Sequence, residues 1–203
     1  MKIQPLIKGY KLNWHMQNPE LKINQTELTV NQEQALQVGI ETERNLVLSE
    51  RLVLELKRQG LYITSVESCT GGGLAYYITN IPGASDVMKD SFVTYSNEAK
   101  IALGVPKEII DKYTVYSQET ARAMAEAGLK RSIKADVSVG ITGSISRADP
   151  TNSNSIPGVI YLAVRYKDKV ISKELNISAE RRFEVKQKIV EEVLKVILET
   201  IIN

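Results

Sequence analysis

Leucines 46, 48, 52, 54 and 56 recur among mixed charges, and their spacing predicts a helix over residues 45–59. The apolar, β-prone stretch 61–66 predicts a strand. It runs into Glu67-Ser68-Cys69-Thr70-Gly71-Gly72-Gly73, after which Leu74, Ala75, Tyr77 and Ile78 set a helix over 72–79. Pro82-Gly83 marks a turn. Residues 90–95 read as a strand, followed by a short helix to Leu103 that Ser96 or Asn97 would cap. Pro106 opens another short helix to about Lys112. Ser117, with Glu119 and Thr120 close behind, begins a long Ala-rich helix to Ile133. Residues 136–142 alternate as a strand, 143–157 form a polar loop, and 159–166 with 170–177 form a hairpin around Lys167-Asp168-Lys169. A closing amphipathic helix over 180–202 offers Phe183, Val185, Ile189, Val190, Val193, Leu194 and Ile197 to a core. Helices interleaved with strands predict an α/β protein, a three-layer α/β/α sandwich.

Composition narrows the chemistry. The formal charge is +2 with both signs interspersed, so no basic face for nucleic acid is expected. No apolar run reaches membrane-spanning length and no signal-peptide core opens the chain, which points to a cytoplasmic protein with no membrane partner. Cys69 is the only cysteine, so no internal disulfide can form. His15 is the only histidine, and zinc sites usually need several His or Cys ligands, so no metal is expected. Unless His15 folds back into the site, a nucleophile here needs Lys, Tyr, Asp or Glu as its base. Residues 1–45 hold 11 Asn plus Gln against 9 in all of 46–203, and they also hold the only Trp, Trp14. That shift separates an N-terminal extension, 1–45, from a domain over 46–203. Short alternating pieces in the extension (2–3, 21–23, 27–30) are candidate edge strands.

Two clusters carry candidate chemistry. A strand, a glycine turn and a helix N-terminus point backbone N–H groups at an anion or a carbonyl oxygen. The hydroxyls of Ser68 and Thr70 sit inside that cradle, formed with Gly71 and Gly72. The plainer reading is a turn that merely needs glycine. In the second cluster, Tyr95, Asn97 and Lys100 gather around one strand end. A lysine held near a hydroxyl in a partly dry cleft can lose its proton and act as a general base. The plainer reading is a solvated helix lysine. Ser68, Tyr95 and Thr142 all fall at the carboxyl ends of expected strands, where α/β sheets place their sites.

Glu67-Ser68-Cys69-Thr70-Gly71-Gly72, Pro82-Gly83-Ala84-Ser85, Val93-Thr94-Tyr95-Ser96-Asn97-Glu98-Ala99-Lys100 and Leu103-Gly104-Val105 together resemble the CinA C-terminal-domain family, across roughly residues 47–202. That family includes nicotinamide mononucleotide deamidases. The resemblance implies a mixed sheet of about five strands and a small-molecule nucleotide substrate. It implies no cofactor, and a homo-oligomer. It further implies an amidohydrolase that turns the carboxamide into a carboxylate and releases ammonia. On that reading Ser68 is the nucleophile, Lys100 the base and Tyr95 a proton relay. Thr70, Gly71 and Gly72 form the oxyanion or anion cradle. Asn97 joins the substrate cleft, Thr142 and Gly143 line its opposite wall, and Arg182 or its neighbour Arg181 grips the phosphate. Cys69 stands as an alternative nucleophile, although its neighbour's orientation sends it toward the core.

The chain departs from the family after Thr142-Gly143. The family's glycine-rich turn is replaced by 144–156, rich in Ser, Asn and Asp and carrying Arg147, and only Pro157-Gly158 matches again. Residues 113–117 also differ. A noncatalytic nucleotide-binding or interaction protein on the same fold is therefore the competing expectation. The loop is expected to close one side of the cleft still and to set substrate preference more than chemistry.

Overall fold

The computed structural model describes residues 32–178 and 181–202. The chain divides into two compact units, Met1–Leu36 and Gln37–Asn203. Of the first, the described residues are the opening turn of helix α1. His15, Trp14, the edge-strand candidates and Glu180 lie outside the described residues.

The second unit is built on one five-stranded sheet. Strand β1 (Ile63–Glu67) is flanked in parallel by β2 (Phe92–Val93) and β3 (Val137–Gly143). Strands β4 (Val159–Tyr166) and β5 (Lys169–Asn176) follow as an antiparallel hairpin, giving the order β2-β1-β3-β4-β5. The mixed five-stranded α/β fold expected from the sequence is the fold observed.

Residue alternation assigns the two faces. Ile63 on β1, Val137, Val139 and Ile141 on β3, and Ile160, Leu162 and Val164 on β4 form one large aliphatic face. It packs on Leu52, Val53 and Leu56 of α1 (Gln32–Gln59), Leu74 and Ile78 of α2 (Gly73–Thr79), and the buried stripe of α6 (Arg182–Ile202). The opposite face is small or polar: Thr64, Ser138, Gly140, Thr142 and Ala163. Against it lies α5 (Gln118–Arg131), whose Ala121, Ala125 and Gly128 let it rest almost on the strands. A Cβ at Gly140 would stand 2.1 Å from the Ala121 carbonyl oxygen. Helices α3 (Asn97–Leu103) and α4 (Lys107–Tyr113) complete that layer, with Val105, Ile110 and Met124 packed on Val66.

Several boundaries moved, each for a physical reason. Helix α1 starts at Gln32, well before the expected residue 45, because residues 32–44 are Gln/Glu-rich and lack apolar periodicity while remaining good helix formers. β2 shrinks from the expected 90–95 to two residues. Asp90 is drawn off to accept from Thr64 Oγ1 and Ser132 Oγ, and Thr94 makes one last ladder bond, its N–H to the Glu67 carbonyl at 2.8 Å. Ser96, not Asn97, caps α3, accepting from Ala99 N–H. Phe183, expected in the core face of α6, is 52% exposed. It sits in the first turn of the helix, next to Arg182. None of the described helices is long and apolar enough to cross a membrane.

Candidate active site

Ser68 follows the last residue of β1, and Lys100 sits one turn into α3. Their side chains meet. Lys100 Nζ lies 3.0 Å from Ser68 Oγ and donates to the Thr94 carbonyl oxygen at 2.8 Å. Lys100 is 1% exposed, the largest fully buried side chain among the described residues. Burial in this dry site, with Cys69 and Glu98 pulling the other way, lowers its pKa to about 8. Ser68 is held in turn, its N–H donating to the Ile141 carbonyl at 3.0 Å. A serine hydroxyl at the end of β1 and a buried lysine amine in the first turn of α3 are thus fixed against each other.

Both face a cavity of about 620 Å³, within the size range of small-ligand sites. Asn97, Thr142 and Gly143 line it as expected. Thr142 is pinned by its hydroxyl, which donates to the Val115 carbonyl at 2.7 Å. The rewritten loop forms one wall through Ser144, Ile145, Arg147, Asp149, Thr151 and Asn152. It holds its shape without glycines. Ser144 Oγ donates to the Arg147 carbonyl, and Asp149 accepts from both the N–H and the hydroxyl of Thr151 while its own N–H donates to Ser155 Oγ. Those Thr151 donors hold the Asp149 carboxyl below its ordinary pKa. Tyr116 leans on the same carboxylate, its hydroxyl 3.4 Å from Asp149 Oδ2.

Arg182, the first residue of α6, reaches across the mouth. Its guanidinium donates to Tyr95 Oη at 3.0 Å and to Ser146 Oγ at 3.3 Å. Arg181 is instead locked to Glu184, with Nη2 2.6 Å from Oε1, and does not line the cavity. Of these two neighbours, Arg182 is therefore the one that faces the site.

The glycine cradle needs correction. The N–H groups of Gly72, Leu74 and Ala75 all donate to the carboxylate of Glu67, at 3.0–3.1 Å, and Ser65 Oγ donates to it as well. Gly71 N–H donates to the Ser68 carbonyl at 3.1 Å. Thr70, Gly71 and Gly72 do not line the cavity, and the Thr70 hydroxyl is buried without a hydrogen-bond partner. A fully buried acid of this chain already fills the place expected for an anion. Tyr95 differs too. It is 64% exposed, and its hydroxyl bonds Arg182 rather than Ser68 or Lys100, so no direct hydrogen-bond path lets it relay their proton. Cys69 belongs to the buried aliphatic core cluster, although it also borders the cavity, and burial pushes its thiol up to about 12. It stays protonated and is a poor nucleophile. The N–H groups of Cys69 and Thr70 are turned to that sulfur. Sequence reasoning missed Glu67. Its only signal was an acid standing just ahead of a glycine-led helix.

A family model described as the CinA C-terminal domain matches residues 45–201. The chain belongs to the CinA C-terminal domain family. A relative from Caldicellulosiruptor saccharolyticus, carrying the name competence-damage inducible protein, is 39% identical over 160 residues, covering 78% of this chain and 38% of that protein. One from Clostridium botulinum (strain Kyoto / Type A2), under the same name, is 38% identical over 151 residues, covering 74% of this chain and 36% of that protein. The chain thus matches little more than a third of the length of these curated relatives. Among solved structures, the competence/damage inducible protein of Agrobacterium tumefaciens superposes with a TM-score of 0.72 at 30% identity, over 77% of this chain and 94% of that one. A CinA superfamily protein from Escherichia coli gives 0.69 at 27% identity, over 75% and 88%. The CinA-type region thus begins inside α1, which runs through residue 45 without a break.

Proposed function

We propose that this CinA-family chain is an amidohydrolase that converts the carboxamide of nicotinamide mononucleotide, or of a closely related nucleotide, into a carboxylate with release of ammonia. The observation that carries this reading is the contact of Lys100 Nζ with Ser68 Oγ at 3.0 Å, made by a lysine whose pKa is lowered to about 8. Near neutral pH a useful fraction of such a lysine is a free amine. That amine takes the Ser68 hydroxyl proton as Oγ bonds to the carboxamide carbon, and the carbonyl π pair moves onto oxygen. The developing oxyanion needs a hydrogen-bond donor from the cavity wall. Collapse expels ammonia, which carries off the proton from Lys100 and leaves an acyl ester on Ser68. Water, deprotonated by Lys100, cleaves the ester and returns the proton to Ser68. The balance is amide plus water to carboxylate plus ammonium.

Arg182 supports the nucleotide assignment. A guanidinium at the cavity mouth, already steadied by Tyr95 and Ser146, suits a phosphate. Tyr95 then serves to orient Arg182. Purified protein incubated with nicotinamide mononucleotide is expected to release ammonia one-for-one with the carboxylate product. Ser68→Ala is expected to abolish it with the circular dichroism spectrum unchanged. Wild-type protein that binds the nucleotide and releases no ammonia would make the chain a noncatalytic binding protein.

A further inference from the structure

Arg147 is a cation on the cavity wall without a counter-ion. It is exposed, and its guanidinium makes no hydrogen bond or ion pair among the described residues. Its backbone is fixed all the same, because Ser144 Oγ donates to its carbonyl at 2.7 Å. Each acid lining the cavity is engaged elsewhere. Asp111 pairs with Lys107 at 2.5 Å, Asp149 accepts from Thr151, and Glu98 is held by its own N–H and by the Ser96 hydroxyl. A guanidinium with five unengaged N–H donors beside a substrate cleft calls for an anion, and its fork fits phosphate oxygens two at a time. Arg147 also stands in the stretch where this chain departs from its family, so what it binds is a property of this chain.

Its place decides which anion. Arg182 donates to Ser146 Oγ at 3.3 Å, and Arg147 is the next residue, so both guanidinia serve one rim of the cavity. Arg182, Ser146 and Arg147 are exposed, and Tyr95 is 64% exposed. A phosphate held by Arg182 therefore stands at an open edge. The carboxamide end of its nucleotide runs in toward Ser68, and an outer phosphate oxygen is free to carry a further ester. A second phosphate joined through that oxygen comes within reach of Arg147. Resting on the amidohydrolase reading, we propose that the nucleotide this site prefers is a pyrophosphate-linked dinucleotide bearing a nicotinamide-type carboxamide, with Arg182 on the phosphate nearer the reacting end and Arg147 on the farther one. The second nucleoside then lies outside the mouth. The reaction keeps its balance, amide plus water to carboxylate plus ammonium, and the pyrophosphate bridge is not cut.

Isothermal titration calorimetry on the full chain carrying Ser68→Ala separates binding from turnover, with nicotinamide mononucleotide and nicotinamide adenine dinucleotide as the probes. The dinucleotide is expected to bind about tenfold or more tightly than the mononucleotide. Adding Arg147→Gln should weaken the dinucleotide roughly 10- to 100-fold, the loss of charge-assisted hydrogen bonds, and the mononucleotide by less than about threefold. Arg182→Ala should weaken both. Position 147 is exposed, so Arg147→Gln leaves the fold intact, which circular dichroism checks. In the wild type, kcat/KM for ammonia release should favour the dinucleotide in the same proportion, and Arg147→Gln should erase that preference. Equal or tighter binding of the mononucleotide overturns the proposal. So does an Arg147→Gln loss equal for both probes, which would put both arginines on one phosphate, or no loss at all. An Arg147-dependent preference in binding, with no ammonia released from either nucleotide, would sink the amidohydrolase reading and leave the dinucleotide preference standing. A protein that binds neither probe overturns both.

Discussion

A lysine buried to 1% of its surface beside a serine hydroxyl dictates how rate and stability respond to pH. The amine works only when neutral, so kcat/KM should climb about tenfold per pH unit below pH 8 and level off above it. Lys100→Ala should cost roughly 10² to 10⁴ in rate and remove that slope. The same shift acts on folding. Lys100 titrates near 8 in the native state against an ordinary 10.5, so between those values the unfolded chain holds more protons and stability rises with pH. The wild-type urea midpoint should therefore rise between pH 8 and 10 relative to that of Lys100→Met, which lacks the group. Arg182 makes a separate prediction. Arg182→Ala should raise KM for the nucleotide with little change in kcat, and should leave kinetics on the dephosphorylated nucleoside unchanged. Arg181→Ala, already committed to Glu184, should do neither.

At the scale of elements, β1 and α2 are joined by a carboxylate. Glu67 gathers three backbone N–H groups at the start of α2 and one hydroxyl from its own strand. Glu67→Gln replaces one acceptor oxygen by a donor that faces other donors. It should lower the unfolding free energy by about 1–3 kcal/mol, read from urea titrations, and should reduce kcat as the turn bearing Ser68 loosens. The sequence made some of these elements plain and hid others. The periodicity of α6 was strong because it buries one continuous stripe, and that of β3 because its aliphatic face alternates with a small or polar one. The seven-residue α2 and the Ser96 cap announced themselves through glycine and serine. The two-residue β2 was overread, because the run leading into it is cut short where Asp90 turns to accept from Thr64 and Ser132. The Ser68–Lys100 pair was visible through its motifs. Its contact was settled by the parallel pairing of β1 with β2, which only the fold supplies. The role of Glu67 could not be read in advance, since it depends on α2 turning back over the end of its own strand.

At the scale of the whole molecule, the sheet divides its labour. The parallel strands β2, β1 and β3 present their carboxyl ends to the cavity. The antiparallel hairpin anchors the wall loop, with Gly158 N–H bonded to the Ser144 carbonyl at 2.8 Å. That loop touches the cavity and neither Ser68 nor Lys100 by hydrogen bond. Replacing 144–155 by the family's glycine-rich version should therefore lower KM for nicotinamide mononucleotide and leave the pH at which the rate levels off unchanged. The lone thiol has a further consequence. Cys69 adjoins Ser68 in sequence, yet it is buried, and burial keeps its sulfur a thiol rather than a thiolate at physiological pH. Oxidants attack the thiolate. Peroxide or maleimide doses that silence cysteine hydrolases should leave this reaction running, so that a cell under oxidative stress would keep a working serine where a cysteine enzyme of similar reach would go dark.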